Sequence, residues 1–213
     1  MKKEFVIQQI EKLPVIAILR GVRPAEVLEV GAALHEAGIM VMEVTMNSPE
    51  APLKSIELLA SHFEGKMAVG AGTVLSVEQV EAVKECGGAL IVSPNTDARV
   101  ISRTAELGLF SMPGVATCSE GFSAIEAGAD HLKIFPASVM GPSGLQDLTA
   151  VMPKRVGLFA VGGVNAENMK EWILAGAKGV GLGSNLYAAG DSPEEVSRKA
   201  GVMVGAYRKA IEG

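Results

Sequence analysis

The stretch EAGADHLKIF (126–135) closes one element and opens another. Helix-forming residues run into Gly128, and after a short polar step Leu132, Ile134 and Phe135 make an apolar run interrupted by Lys133. A glycine just past a helix supplies the left-handed residue that ends it, and a buried strand can begin at once. The same grammar recurs in EAGIMVMEV (36–44), ECGGALIVS (85–93), ELGLFSMPG (106–114) and LAGAKGVGL (174–182). The closing glycines, Gly38, Gly87, Gly108, Gly128 and Gly176, are separated by 49, 21, 20 and 48 residues. The two long intervals each have room for one more unit.

Filling those intervals predicts eight strands, at Val15–Leu19, Met40–Thr45, Met67–Gly72, Leu90–Ser93, Phe110–Met112, His131–Phe135, Leu158–Val161 and Gly179–Leu182. Most are continuous apolar runs rather than alternations, as in parallel strands covered on both faces. Helix starts fall between them. Ser76-x-x-Gln79 and Thr117-x-x-Glu120 read as capping boxes, and Ser192-Pro193 places proline in a first helical turn. Apolar residues then return at helical spacing, as in Val27, Val30, Gly31 and Leu34, or Met169, Trp172 and Ile173. The pattern predicts a single-domain (β/α)₈ TIM barrel over residues 1–213, with an extra N-terminal helix at Lys3–Glu11. An open doubly wound sheet also alternates strand and helix, but no GxGxxG follows the first strand, and eight units are many for one small open sheet.

Composition excludes several classes of function. The net charge is −5 and the three histidines are scattered, so neither nucleic acid nor an acidic membrane surface is expected as a partner. The start, MKKEFVIQQIEK, lacks the apolar core of a signal peptide, and no apolar run approaches the ~20 residues of a membrane span. A cytoplasmic location is therefore expected. Cys86 and Cys118 read as two reduced thiols rather than a disulfide or a zinc site.

In such a barrel the reactive groups sit at the C-terminal ends of the strands. Arg20 ends the first strand, Glu43 lies late in the second and Thr73 ends the third. Pro94 and Asn95 follow the fourth, and Lys133 lies within the sixth. Lys66 begins a strand, on the stability face. An ammonium among apolar residues is costly unless it is paired or loses its proton. Lys133 therefore reads either as a structural partner of Glu43 or as a desolvated amine, nucleophilic toward a carbonyl. Burial beside Val41 and Val44 would raise the Glu43 pKa and suit it to acid/base work. Lysine and carboxylate facing one cavity suffice for Schiff-base chemistry.

FAVGGVNAEN (159–168) and GVGLGSNLY (179–187) end the last two strands in glycine turns leading toward helices. Tight βα turns explain each alone. Together, after strands seven and eight, Gly162, Gly163, Gly183 and Ser184 favour a phosphate. Arg20, with Thr73, would grip a second anion such as a carboxylate, or form a rim salt bridge. His35 and His62 fall in helical stretches, and His131 begins a strand away from the catalytic end.

The segments PVIAILRG (14–21), VMEVTMNSP (41–49), VGAGTVL (69–75), LIVSPN (90–95), MPGVATCSE (112–120), LKIFPAS (132–138), FAVGGV (159–164) and GLGSNLY (181–187) together resemble the KDPG/KHG family of class I aldolases. The resemblance covers nearly the whole chain. It implies a homotrimeric (β/α)₈ barrel that needs neither metal nor cofactor and acts on a small phosphorylated keto sugar acid. It also implies that Lys133 forms the Schiff base, Glu43 is the general acid/base, Arg20 and Thr73 bind carboxylate, and Gly162, Gly163, Gly183 and Ser184 bind phosphate. Relatives acting on the gluconate epimer tend to carry arginine and threonine where Asn47 and Val161 stand here. The expected substrate is therefore 2-dehydro-3-deoxy-6-phosphogalactonate. The rivals are the gluconate epimer or both epimers, with 4-hydroxy-2-oxoglutarate as a side substrate. Beyond the family lie an epimerase using Glu43 as base and a catalytically silent phosphosugar-binding barrel.

Overall fold

The computed structural model describes residues 2–212. Helix α1 (Lys2–Lys12) precedes the repeat. Strand and helix then alternate as β1 (Val15–Leu19), α2 (Val27–Glu36), β2 (Val41–Thr45), α3 (Pro52–His62), β3 (Ala68–Gly72), α4 (Val77–Glu85), β4 (Leu90–Val92) and α5 (Ala98–Glu106). They continue as β5 (Phe110–Met112), β6 (Gly114–Val115), α6 (Cys118–Glu126), β7 (Leu132–Ile134), α7 (Ala137–Val151), β8 (Leu158–Val161), α8 (Met169–Leu174), β9 (Gly179–Leu182) and α9 (Pro193–Glu212). Every paired strand is parallel, in the order β5-β4-β3-β2-β1-β9-β8-β7-β6.

Nine strands stand where the pattern predicted eight, because the fifth splits at Pro113. Proline has no N–H for the ladder, so the strand is interrupted there. Its carbonyl still accepts, and this closes the barrel. Ser111, Pro113 and Val115 carbonyls take the amides of Asp130 (3.0 Å), Lys133 (2.9 Å) and Phe135 (3.2 Å). The sixth unit of the sequence pattern is thus β7.

Both predicted helix starts are capped, with the Gln79 and Glu120 side chains returning to the amides of Leu75 and Ala116, one residue before the cap. The Ser76 hydroxyl accepts from the Gln79 amide at 3.3 Å, and Thr117 accepts from the Glu120 amide at 3.2 Å. Such caps contribute about 1 kcal/mol each. Among the described residues no helix is long and apolar enough to cross a membrane.

Two apolar clusters divide the core. The larger lies between strands and helices, and Val44 belongs to it. The smaller fills the barrel with Ile16, Val41, Leu90, Phe110, Met112 and Phe159, and α1 plugs its N-terminal end with Val6 and Ile10. Alternation along β2 therefore sends Val41 inward and Val44 outward, so only the first belongs to the surround predicted for Glu43.

His131 completes the plug. Its ring stacks on Phe159 (5.6 Å) and meets Phe110 edge-on (5.3 Å). Burial pushes its pKa below the ordinary 6.5; a hydrogen bond to the Asp130 carbonyl opposes this, and Lys178 reinforces it. The folded protein thus binds this proton less readily than the unfolded chain. The contribution is present above about pH 6.5 and is lost as pH falls toward the depressed folded value, each tenfold difference in proton affinity being worth about 1.4 kcal/mol. Melting temperature should fall on acidification from pH 7 to 5, and less steeply in His131→Gln. Equal slopes for the two proteins would show that His131 contributes nothing to the acid sensitivity.

Candidate active site

Glu43 on β2 and Lys133 on β7 both project into the barrel, with relative exposures of 1% and 5%. In register, Glu43 lies between Ile18 of β1 and Gly70 of β3, and Lys133 lies between Gly114 of β6 and Phe159 of β8. Burial raises the Glu43 pKa, partly offset by the positive charges of Lys133 and Arg20. Burial likewise lowers that of Lys133; Glu43 opposes the shift and Arg20 adds to it. Both groups are thus driven toward their neutral forms, the carboxyl as an acid and the amine as a nucleophile. The Lys133 ammonium position lies 4.8 Å from the centre of the Phe135 ring. Glu43 Oε2 is buried with no hydrogen-bond partner among the described residues.

The other predicted residues follow the C-terminal ends of β1, β3, β8 and β9. Arg20, just past β1, donates from Nη1 to Asn47 Oδ1 at 3.1 Å. A second tie runs alongside: the Gly21 amide donates to Ser48 Oγ at 2.9 Å, and Ser48 Oγ lies 3.1 Å from the buried Thr45 hydroxyl. The loop after β2 therefore holds both the side chain and the backbone of the loop after β1. Thr73 follows β3 with φ +56°, an unusual value for a β-branched residue and a strain of roughly 1–3 kcal/mol.

Gly162 and Gly163 follow β8 at φ +97° and +81°, the left-handed region that favours glycine. The Gly162 carbonyl accepts from the Ser138 amide at 3.0 Å, joining this turn to the start of α7. Asn165 and Asn168 each accept the other's amide on the side-chain oxygen (2.9 and 2.8 Å), and Asn168 Nδ2 donates to the Gly163 carbonyl at 2.9 Å. Asn185 Nδ2 reaches the Val164 carbonyl at 2.6 Å and ties the two glycine turns together. Gly183 and Ser184 follow β9, the neighbour of β8, and a side chain at Gly183 would meet nothing within 4 Å. Contrary to the sequence pattern, no helix follows Gly183 directly. A single turn returns the amides of Leu186 and Tyr187 to its carbonyl (2.8 and 2.9 Å), and α9 starts only at Pro193. A full helix dipole is therefore absent from this loop.

Pro94 and Asn95 follow β4. Their backbone packs on Gly114, whose missing side chain leaves room for it. Val161 is buried at the end of β8, against Gly181 and facing the barrel interior. A cavity of about 610 Å³ lies at the other end of the barrel, lined by Phe5, Met67, Val69 and Cys86, far from this chemistry.

Sequence reasoning did not assign roles to Ser48, Phe135, Asn168 or Asn185. The pair Asn165-x-x-Asn168 was the one legible signal, since Asn side chains bond nearby backbone in turns. Phe135 lies two residues from Lys133, whereas Ser48 to Gly21 and Asn185 to Val164 join segments distant in the chain.

Residues 6–198 match the family described as "KDPG and KHG aldolase". The chain is 47% identical over 201 residues to the 2-dehydro-3-deoxy-6-phosphogalactonate aldolase of Escherichia coli K12, covering 94% of this chain and 98% of that one. A solved structure described as "Native KDPGal structure" superposes with a TM-score of 0.93 at 46% identity, covering 95% and 98% of the two chains. Another, a cube-shaped porous cage designed by fusing symmetric oligomeric domains, gives 0.92 at 47% identity over 94% of this chain and 74% of that one.

Proposed function

The chain belongs to the KDPG and KHG aldolase family, and from that premise we propose that it cleaves 2-dehydro-3-deoxy-6-phosphogalactonate to pyruvate and D-glyceraldehyde 3-phosphate. The observation that carries the chemistry is the buried, electrostatically coupled pair of Lys133 and Glu43 inside the barrel. The neutral Lys133 amine attacks the C2 ketone. Loss of water from the carbinolamine leaves an iminium. Glu43 takes the C4 hydroxyl proton, the C3–C4 bond breaks, and its electron pair moves onto the iminium nitrogen as an enamine. D-Glyceraldehyde 3-phosphate departs; the enamine is protonated at C3, and water releases pyruvate and frees Lys133. Arg20 and Thr73 hold the carboxylate, while Gly162, Gly163, Gly183 and Ser184 hold the distal phosphate. Fixing the substrate at both ends keeps the scissile bond aligned.

The galactonate epimer is favoured by the 47% identical relative and by the apolar Val161 at the mouth, which offers no hydroxyl to a C4 substituent. A missing hydrogen bond of this kind shifts discrimination by a few kcal/mol. Pyruvate release should be faster, as kcat/KM, from the galactonate than from the gluconate epimer. The opposite order would overturn the substrate assignment while leaving the reaction in place. Assembly as a homotrimer belongs to the same proposal, supported by the similar chain in a cage of oligomeric domains. So does a cytoplasmic location, which the free thiols Cys86 and Cys118 suit.

A further inference from the structure

Strand β3 reads AVGAG, and Gly70 and Gly72 alternate onto the face that lines the barrel. The two glycines do different things. A methyl group added at Gly70 would overlap the Leu90 carbonyl oxygen, a backbone atom of the adjacent strand. Added at Gly72, it would overlap Glu43 Oε1 and lie 2.5 Å from Cδ and 3.0 Å from Oε2. These are the terminal atoms of one side chain, which can move where a backbone cannot. The bare backbone at Gly72 is thus the floor beneath the carboxyl group.

Among the described residues no hydrogen bond holds its Oε2. The floor itself is held firmly. Gly72 pairs with Thr45 in the parallel register, and its carbonyl accepts the Met46 amide at 2.7 Å. We infer that Gly72 is a positioning residue: the absence of a side chain there sets the height at which the Glu43 carboxylate meets the substrate. This rests on the role proposed above for Glu43 and adds to it a residue that acts through that side chain.

The test is a double-mutant cycle of Gly72→Ala and Glu43→Asp. A displacement of about 1 Å in a catalytic group costs on the order of 10²-fold in rate. Gly72→Ala should therefore lower kcat by about 10²-fold, with KM little changed and the fold intact by circular dichroism. In the Glu43→Asp background the shorter side chain no longer reaches the added methyl, so the same alanine should cost only a few-fold. Equal cost in both backgrounds, or wild-type kcat in Gly72→Ala, would overturn the inference. If Gly72→Ala unfolds while the double variant folds, the contact is supported in its stability form; if both unfold, the glycine serves only the backbone and the inference falls. The same cycle read as melting temperature needs no substrate, and additive shifts there count against the floor whatever the reaction. Wild-type protein that releases no pyruvate counts against the reaction alone.

Discussion

Lys133→Ala should abolish the adduct that pyruvate and borohydride leave on the wild-type protein, a carboxyethyl group on the Lys133 amine, and should lower turnover by roughly 10⁶-fold, the scale on which loss of a covalent nucleophile acts. Lys133→Arg should do the same although it keeps the charge, because a guanidinium does not deprotonate and cannot attack a ketone. The pH dependence of trapping tests the physical cause. An ordinary lysine is protonated far above neutrality, whereas burial disfavours the ammonium of Lys133 and holds its pKa below 10.5. The free amine is thus present at lower pH than for an ordinary lysine, and trapping should begin well before pH reaches 10.5. An adduct that appears only as pH approaches 10.5, or one that maps to another lysine, would remove Lys133 from the mechanism.

Glu43→Gln should reduce kcat by roughly 10²–10⁴-fold, the usual worth of a positioned general acid/base. It should also move the onset of pyruvate trapping to lower pH. The sign follows from the pair: the Glu43 carboxylate favours the Lys133 ammonium, while burial and Arg20 disfavour it. Removing the carboxylate leaves only the two lowering influences, so the amine loses its proton more readily. Trapping rate against pH in both proteins measures this directly. An unchanged or raised onset would show that the two side chains are not coupled, and that Glu43 acts, if at all, from elsewhere. Wild-type kcat should also fall on acidification at a pH above the ordinary carboxylate range, because burial raises the pKa of the base.

Much of this architecture was legible before the structure because its signals are local. Ser76 and Thr117 cap helices through atoms three residues away, and the closing glycines Gly38, Gly87, Gly108, Gly128 and Gly176 take positive φ because of their own missing side chains. Lys133 stood out as the charged residue in a short apolar run, and Glu43 as the acid late in another. Residue type within a few positions determines such features, so a linear reading finds them. The strand count went astray at Pro113 for a related reason. Proline stops the ladder locally, but whether the strand resumes depends on a partner about twenty residues away.

What closure of the barrel decided is of another kind. It set Arg20 against Asn47 and tied the two glycine turns through Asn185. It also brought the bare backbone of Gly72 under a carboxyl group 29 positions earlier in the chain. Each of these joins segments far apart in the chain, and their separation depends on strand register and on the tilt that closes the sheet. The chain encodes where an ammonium and a carboxylate sit along their strands. Only the closed barrel, by excluding water around both, gives them the shifted proton affinities on which the proposed reaction depends.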